Sequence, residues 1–213
     1  MKQIAIVLSS MALAASLHGQ GQVNFNNRRP GSVIAPVYGV NPAAPGTQMQ
    51  GNATTNGGSV NYAGVPLLQG TGFSAALFAG QTTGDAGASM SALETLPFDT
   101  APAAGFVLVS GSPVTVPGVT GSGSAPWSFQ VRAWDNQGGA VTTWAGALAD
   151  NNVARGVSAP FTTPVSIAPT AAGYLVGLQS FNLVIVPEPS LLALGAIGLV
   201  TLLLRRPNSR GIA

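Results

Sequence analysis

The sequence predicts an all-β protein with a single antiparallel β-sandwich of immunoglobulin-like or jelly-roll type. Three observations lead to this prediction: short apolar runs, frequent Gly and Pro between them, and no long amphipathic helix in the middle of the chain. The 213 residues include 28 Gly and 16 Pro, which suits many turns and is below the level of a low-complexity chain. We therefore expect one folded domain over residues 21–186.

Composition limits the chemistry that this domain can carry. Charged residues make up 7% of the chain and hydrophobic residues 46%, which excludes disorder driven by charge. With no Cys and one His, disulfides, thiol nucleophiles, Cys-based zinc sites and most His-based acid–base chemistry are excluded. We expect a non-enzymatic protein with no cofactor and no metal site.

The net charge of +2 comes from the two ends of the chain. Lys2, Glu188, Arg205, Arg206 and Arg210 together carry +3, so the segment between them carries −1. A nucleic-acid binder needs a basic stripe on its folded part. We therefore expect no nucleic-acid partner.

The first twenty residues have the pattern of a secretory signal peptide. Lys2 precedes an apolar run over 4–8, and small residues follow, with Ala12 and Ala14 in small-x-small spacing. The alternative is a buried helix, but this stretch has no amphipathic period. We expect the Sec translocon and signal peptidase as partners, with a cut between Ala14 and Gln22.

The last segment has the pattern of a short membrane anchor. Fourteen residues without a charge, Leu191–Leu204, follow Val186–Ser190 and precede Arg205, Arg206 and Arg210. As a helix they reach roughly 21 Å, short of the roughly 30 Å hydrocarbon core. Arginines stay on the cytoplasmic side of a membrane, so the domain is expected on the opposite side.

These residues resemble a PEP-CTERM sorting signal: Val186, Pro187, Glu188, Pro189 and Ser190, then a short apolar helix, then an arginine cluster. The resemblance implies that an exosortase in the inner membrane cuts near the motif and releases the domain to the cell surface or extracellular matrix. The prolines keep the motif out of the following helix. A plain stop-transfer anchor with a proline collar is the alternative.

Within the domain, short runs between turn residues predict strands over Phe73–Ala79, Phe106–Val109 and Val114–Val116. Helical character is confined to Trp144–Leu148 and Ser89–Leu93. A return strand is expected at Val141–Thr143, a last strand or pair at Leu175–Ile185 and a loop over 41–58.

The clearest strand runs from Trp127 to Trp134, with nearly perfect period-two alternation. One face carries apolar side chains. The other face, with Gln130, Arg132 and Trp134, is a candidate glycan-binding platform if it is exposed. The alternative is that Trp134 packs under the turn at 136–140 or against Trp144.

A looser resemblance covers most of the chain. Gln22–Arg28, Ala35–Gly39 and Gln130–Asp135 are similar to PEP-CTERM proteins of planctomycete and verrucomicrobial bacteria. This resemblance implies a secreted β-domain and no particular chemistry.

The acidic residues of the domain are expected in turns. Asp85, Asp135 and Asp150 have Gly or Asn neighbours, and the Asp135 and Asp150 loops lack the spacing of an EF-hand. A pair of carboxylates for glycoside hydrolysis is the enzymatic alternative, with Glu94 and Asp99 close in sequence.

The sequence therefore predicts an exported, non-enzymatic surface or matrix protein that is anchored in the inner membrane before an exosortase processes it. A carbohydrate-binding module for extracellular polysaccharide is the second hypothesis.

Overall fold

The computed structural model of the chain describes residues 20–51, 59–80, 87–119 and 125–186, and this part of the chain is mostly β. Residues 1–19 of the signal peptide predicted over 1–20, and the segment from Pro187 onward, lie outside the described residues. The described strands, in chain order, are β1 (Gly21–Asn24), β2 (Arg28–Arg29), β3 (Val33–Ile34), β4 (Val37–Tyr38), β5 (Phe73–Gly80), β6 (Ser91–Pro97), β7 (Val114–Val116), β8 (Ala125–Asp135), β9 (Arg155–Val157), β10 (Phe161–Ile167), β11 (Gly173–Tyr174) and β12 (Phe181–Asn182). One α-helix, α1 (Trp144–Ala149), and 3-10 turns at Gly87–Ser89 and Gln137–Gly139 complete the described elements.

Eight of these strands form one curled sheet in the order β11-β1-β10-β8-β5-β6, with β7 added to β1 and β9 added to β8. Two-stranded sheets join β12 to β4 and β2 to β3. Most pairs are antiparallel, as predicted, but β1 pairs with β11 and β4 pairs with β12 in parallel. The predicted antiparallel arrangement is therefore confirmed for most pairs, and two pairs of short strands are parallel, one in the curled sheet and one in the separate β4–β12 sheet.

Strand β8 is the longest in the described part and organises the sheet. One edge pairs with β5 along eight residues, while the other edge pairs first with β10 and then with β9. The predicted alternation is confirmed: Trp127, Phe129, Val131 and Ala133 belong to the main core cluster. Trp134 belongs to a second, smaller cluster on the opposite face.

The main core lies inside the curl of the sheet. It is built from buried side chains of β1, β5, β7, β8, β10 and β12, all oriented inward by strand alternation. Gly21 begins the first strand where β1 passes close to β10, and a Cβ at that position would collide with Val165 and Val119. The chain is thus part of the core from its first strand residue.

Several local predictions are corrected. The expected helical turn at Ser89–Leu93 is replaced by the start of β6, and Val141–Thr143 leads into α1 instead of forming a return strand. Thr143 is the N-cap of that helix, with its Oγ1 accepting a hydrogen bond from Gly146 N at 3.1 Å. The predicted helix at Trp144–Leu148 is confirmed, whereas Phe106–Val109 contributes only an isolated bridge between Val107 and Phe98.

Buried Asn27 fixes the chain between β1 and β2. Its Nδ2 donates to the carbonyls of Ala35 and Gly105 at 2.8 and 3.1 Å, and its Oδ1 accepts from Val107 N at 2.9 Å. An amide that satisfies three backbone groups without water can be buried at little cost. These bonds hold the β2–β3 hairpin against residues 105–107.

Candidate functional site

The outer face of β8, predicted as a glycan platform, is covered. Trp134 is 0% exposed, its Nε1 donates to the carbonyl of Val141 at 2.8 Å, and its ring meets that of Trp144 edge to face at 6.1 Å. The alternative prediction, packing against Trp144, is confirmed, and the prediction of an exposed indole is wrong. The reason is that α1 and the turn before it fold back over this face, where Ala147 and Val153 join the second cluster.

Arg132 and Gln130, the other two predicted platform residues, are also buried. The Arg132 guanidinium lies 3.7 Å from the centroid of the Phe78 ring, its Nε donates to Gln130 Oε1 at 2.8 Å, and its Nη2 donates to the Gly87 carbonyl. Burial lowers the pKa of Arg132 from its usual value. Gln130 in turn donates from Nε2 to the Ser158 carbonyl at 3.1 Å. These contacts give both residues a structural role.

Two of the acidic residues predicted in turns, Asp135 and Asp150, bond the backbone as turn residues do, and so does Asp99. Asp99, Asp135 and Asp150 each accept a backbone N–H one or two residues ahead, at 3.1, 2.8 and 2.8 Å. Glu94 differs, since its buried Oε2 has no hydrogen-bond partner among the described residues. Asp85 lies outside the described residues.

The loop after β8 is held by hydrogen bonds of the Asn136 side-chain amide. Asn136 is buried, and its Nδ2 donates to the Thr71 carbonyl at 2.8 Å and to Ser74 Oγ at 3.1 Å. Its Oδ1 accepts from Gly139 N at 3.1 Å. The amide therefore ties this loop to the start of β5. Within the described ranges, no group of three or more His, Cys, Asp or Glu side chains is placed to hold a metal ion.

A polar pocket that sequence reasoning did not find lies beside β11. It has a volume of about 170 Å³ and is lined by Asn24, Phe25, Asn26, Val109, Ser110, Gly111, Ser112 and Tyr174. Asn24 pairs with Tyr174 in the parallel β1–β11 ladder, so their side chains point to the same face of the sheet. The pocket thus combines an aromatic ring with amide and hydroxyl groups from three separate parts of the chain.

Two adjacent arginines of β2 lie near this pocket and point in opposite directions, as alternation along a strand requires. The Arg29 guanidinium is 5.1 Å from the centroid of the Tyr174 ring, and that of Arg28 is 5.1 Å from the centroid of Phe106. Both arginines are exposed. The Arg29 guanidinium therefore lies against a ring of the pocket lining, whereas Arg28 contacts the lining through its backbone N–H, which donates to Asn26 Oδ1 at 2.7 Å.

A larger cavity, of about 320 Å³, lies where the β2–β3 hairpin meets the loop after β11. It is lined by Gly31–Ile34 and Gly177–Gln179, which include the polar side chains of Ser32 and Gln179. It has no aromatic ring to orient a ligand.

The C-terminal segment of the described residues forms backbone hydrogen bonds with the rest of the domain up to Ile185. Phe181 and Asn182 pair in parallel with β4, and Leu183 N donates to the Tyr38 carbonyl at 2.9 Å. Val184 and Arg155 exchange two backbone hydrogen bonds of 2.9 Å. Ile185 N then donates to the Pro45 carbonyl at 3.0 Å. Phe181 and Leu183 are both 0% exposed, so this segment is part of the core.

Side chains reinforce this anchorage. The Oδ1 of Asn182 accepts a hydrogen bond from Met49 N at 2.6 Å, and its Nδ2 donates one to the Thr47 carbonyl at 3.2 Å. Tyr62 donates its hydroxyl to the Ser180 carbonyl at 2.9 Å, and its ring stacks on Tyr38 at 4.1 Å. Burial, with a smaller effect from Tyr38, raises the pKa of Tyr62 above its usual range. The phenol therefore remains a neutral donor well above neutral pH.

Of the predicted sorting signal, only Val186 lies within the described residues, and it is exposed. Pro187, Glu188, Pro189, Ser190, Arg205, Arg206 and Arg210 lie outside them. No helix in the described part is long and apolar enough to cross a membrane.

Comparison with protein-family models, with curated proteins and with solved structures finds no match to this chain.

Proposed function

We propose that this chain is a non-enzymatic protein exported across the inner membrane, cut by an exosortase at its C-terminal motif and released to the cell surface or extracellular matrix. The observation that carries the proposal is the sequence from Val186 to Arg210: a Pro-Glu-Pro motif, fourteen uncharged residues and an arginine cluster. A signal peptide at the other end gives the same topology.

The position of the motif relative to the fold supports the proposal. Backbone pairing extends to Ile185, and Pro187 follows one exposed residue later. A cut between Pro187 and Ser190 would therefore leave every described strand intact. Because these four residues span at most about 14 Å when extended, the precursor would hold its domain close to the membrane surface.

The domain itself is proposed to be a β-sandwich of immunoglobulin-like or jelly-roll type. The curled sheet encloses one main core, and Val37 and Phe181 of the separate β4–β12 sheet pack into that core. A second layer on the same core supports a sandwich.

Sorting is tested with variants of the motif in a host that makes an exosortase. We expect the chain with Pro187→Ala and Pro189→Ala to stay in the inner-membrane fraction with its arginine cluster, because the motif is no longer held extended and loses its recognition features. Pro207→Ala is the matched control, since it removes a proline beyond the arginines, and it should be released like the unchanged chain. Equal release of all three proteins, measured by fractionation and mass, would refute exosortase processing at this motif.

A further inference from the structure

The pocket beside β11 has the chemistry that recognises a sugar ring. The face of Tyr174 offers a flat apolar surface for ring C–H groups, and the amides of Asn24 and Asn26 with the hydroxyls of Ser110 and Ser112 offer hydrogen bonds to sugar hydroxyls. Drug-sized ligands occupy pockets of about 300–1,000 Å³. A pocket of about 170 Å³ is smaller, which suits one ring of a longer chain that passes over the surface.

The side-chain amides that line the pocket are held in place by hydrogen bonds to the backbone. Asn24 Nδ2 donates to the Ala172 carbonyl at 2.8 Å, which leaves its Oδ1 as an acceptor. Asn26 Oδ1 accepts from Arg28 N at 2.7 Å, which leaves its Nδ2 as a donor. The two side chains thus offer groups of opposite hydrogen-bonding character, which a sugar hydroxyl can satisfy because it both donates and accepts.

The exposed arginines of the described residues lie on β2, beside this pocket. Its basic side chains are four arginines, of which Arg132 is buried and Arg155 donates from Nη1 to the carbonyls of Ala147 and Asp150. Arg28 and Arg29 remain exposed on β2. The Arg29 guanidinium lies over the Tyr174 ring, 5.1 Å from its centroid, so it is within reach of a carboxylate on a ligand that stacks against that ring, and its planar N–H groups match the two carboxylate oxygens.

The geometry points to this pocket as a binding site for an acidic polysaccharide, in which Tyr174 stacks on a uronate ring and Arg29 pairs with its carboxylate. The inference rests on the proposed export, since such polymers belong to the extracellular matrix where the domain would be released. The proposed carbohydrate site thus lies at β1 and β11 and not at Trp134, which is buried.

The test uses the full chain in mild detergent, with polygalacturonate oligomers as the acidic probe and dextran oligomers of the same length as the neutral probe. We expect binding of polygalacturonate and weaker binding of dextran. Arg29→Gln should raise the Kd for polygalacturonate at least about tenfold, because a charge-assisted pair is lost. Arg28→Gln is the matched control: it removes the same charge from the neighbouring residue, which lies over Phe106, and should change the Kd less than about twofold.

Equal weakening by Arg28→Gln and Arg29→Gln would show attraction by net charge only and overturn the site. Absence of polygalacturonate binding, or equally strong dextran binding, would overturn it as well.

Tyr174 also packs against the main core. The Kd of Tyr174→Leu is therefore interpreted only if the circular dichroism melt of this variant matches that of the unchanged chain. Tyr174→Phe keeps the ring and should retain the affinity within about threefold, while a larger loss would contradict stacking. Because binding is measured on purified protein, failure here leaves the sorting experiment unaffected, and failure of sorting leaves the binding result standing.

Discussion

Trp134→Ala lowers the free energy of unfolding by about 3–5 kcal/mol. The indole is completely buried between Ala76, Phe78, Ala147 and Val153, so its removal leaves a cavity in a small cluster that has few side chains to fill it. It also leaves the Val141 carbonyl without the Nε1 donor. Urea denaturation followed by circular dichroism measures the loss.

Leu148→Ala is the control for this substitution, because Leu148 lies on the same helix α1 with its side chain 52% exposed. It should change the free energy of unfolding by less than about 0.5 kcal/mol. If Trp134→Ala left the denaturation midpoint unchanged, the buried position of the indole would be wrong. The prediction of an exposed glycan-binding Trp134 would then be favoured again.

Removal of the C-terminal segment prevents folding. A chain that stops at Ser180 lacks β12 and the fully buried side chains of Phe181 and Leu183. Burial of each contributes about 2–5 kcal/mol, against a total stability of about 5–15 kcal/mol for a typical domain. A chain that stops at Ser190 keeps every described strand and should give a cooperative melt by circular dichroism.

A point substitution tests the same anchorage without shortening the chain. A Cβ at position 156 would lie 3.1 Å from the carbonyl carbon of Asn182 and closer still to its oxygen, so Gly156→Ala forces β9 away from the C-terminal segment. We expect destabilisation of about 1–3 kcal/mol or more. Gly72→Ala is the control, because a Cβ there meets nothing within 4 Å. A cooperative melt at the normal temperature for both Gly156→Ala and the chain that stops at Ser180 would contradict the account of this segment.

Sequence periodicity predicted the strand that organises the sheet, because β8 has one strictly apolar face that must be buried. Periodicity did not show that the opposite face is also covered. Polar residues such as Gln130 and Arg132 indicate solvent by default. Besides each other, they bond the backbone carbonyls of Ser158 and Gly87, which no pattern of side chains identifies. A tryptophan on the polar face was the one signal of a second cluster.

The pocket beside β11 was beyond prediction for a different reason. Asn24 and Tyr174 are brought together by one parallel ladder, two residues long, between β1 and the two-residue strand β11, and the serines come from the loop before β7. Two-residue strands have no period, so their pairing depends on the tertiary fold. Single Asn and Ser residues in loops are ordinarily turn residues, so the sequence does not show that these ones meet in a pocket.

The central claim is that the mature protein is a released domain whose C-terminus is made at the Pro-Glu-Pro motif. Intact-mass analysis of the chain recovered separately from the inner membrane and from the extracellular matrix tests it most directly. The account predicts a matrix form that begins no later than Gly21, because β1 enters the core there, and that ends between Pro187 and Ser190. A chain found only in the membrane with Arg210 intact would contradict the claim and identify a permanently anchored domain.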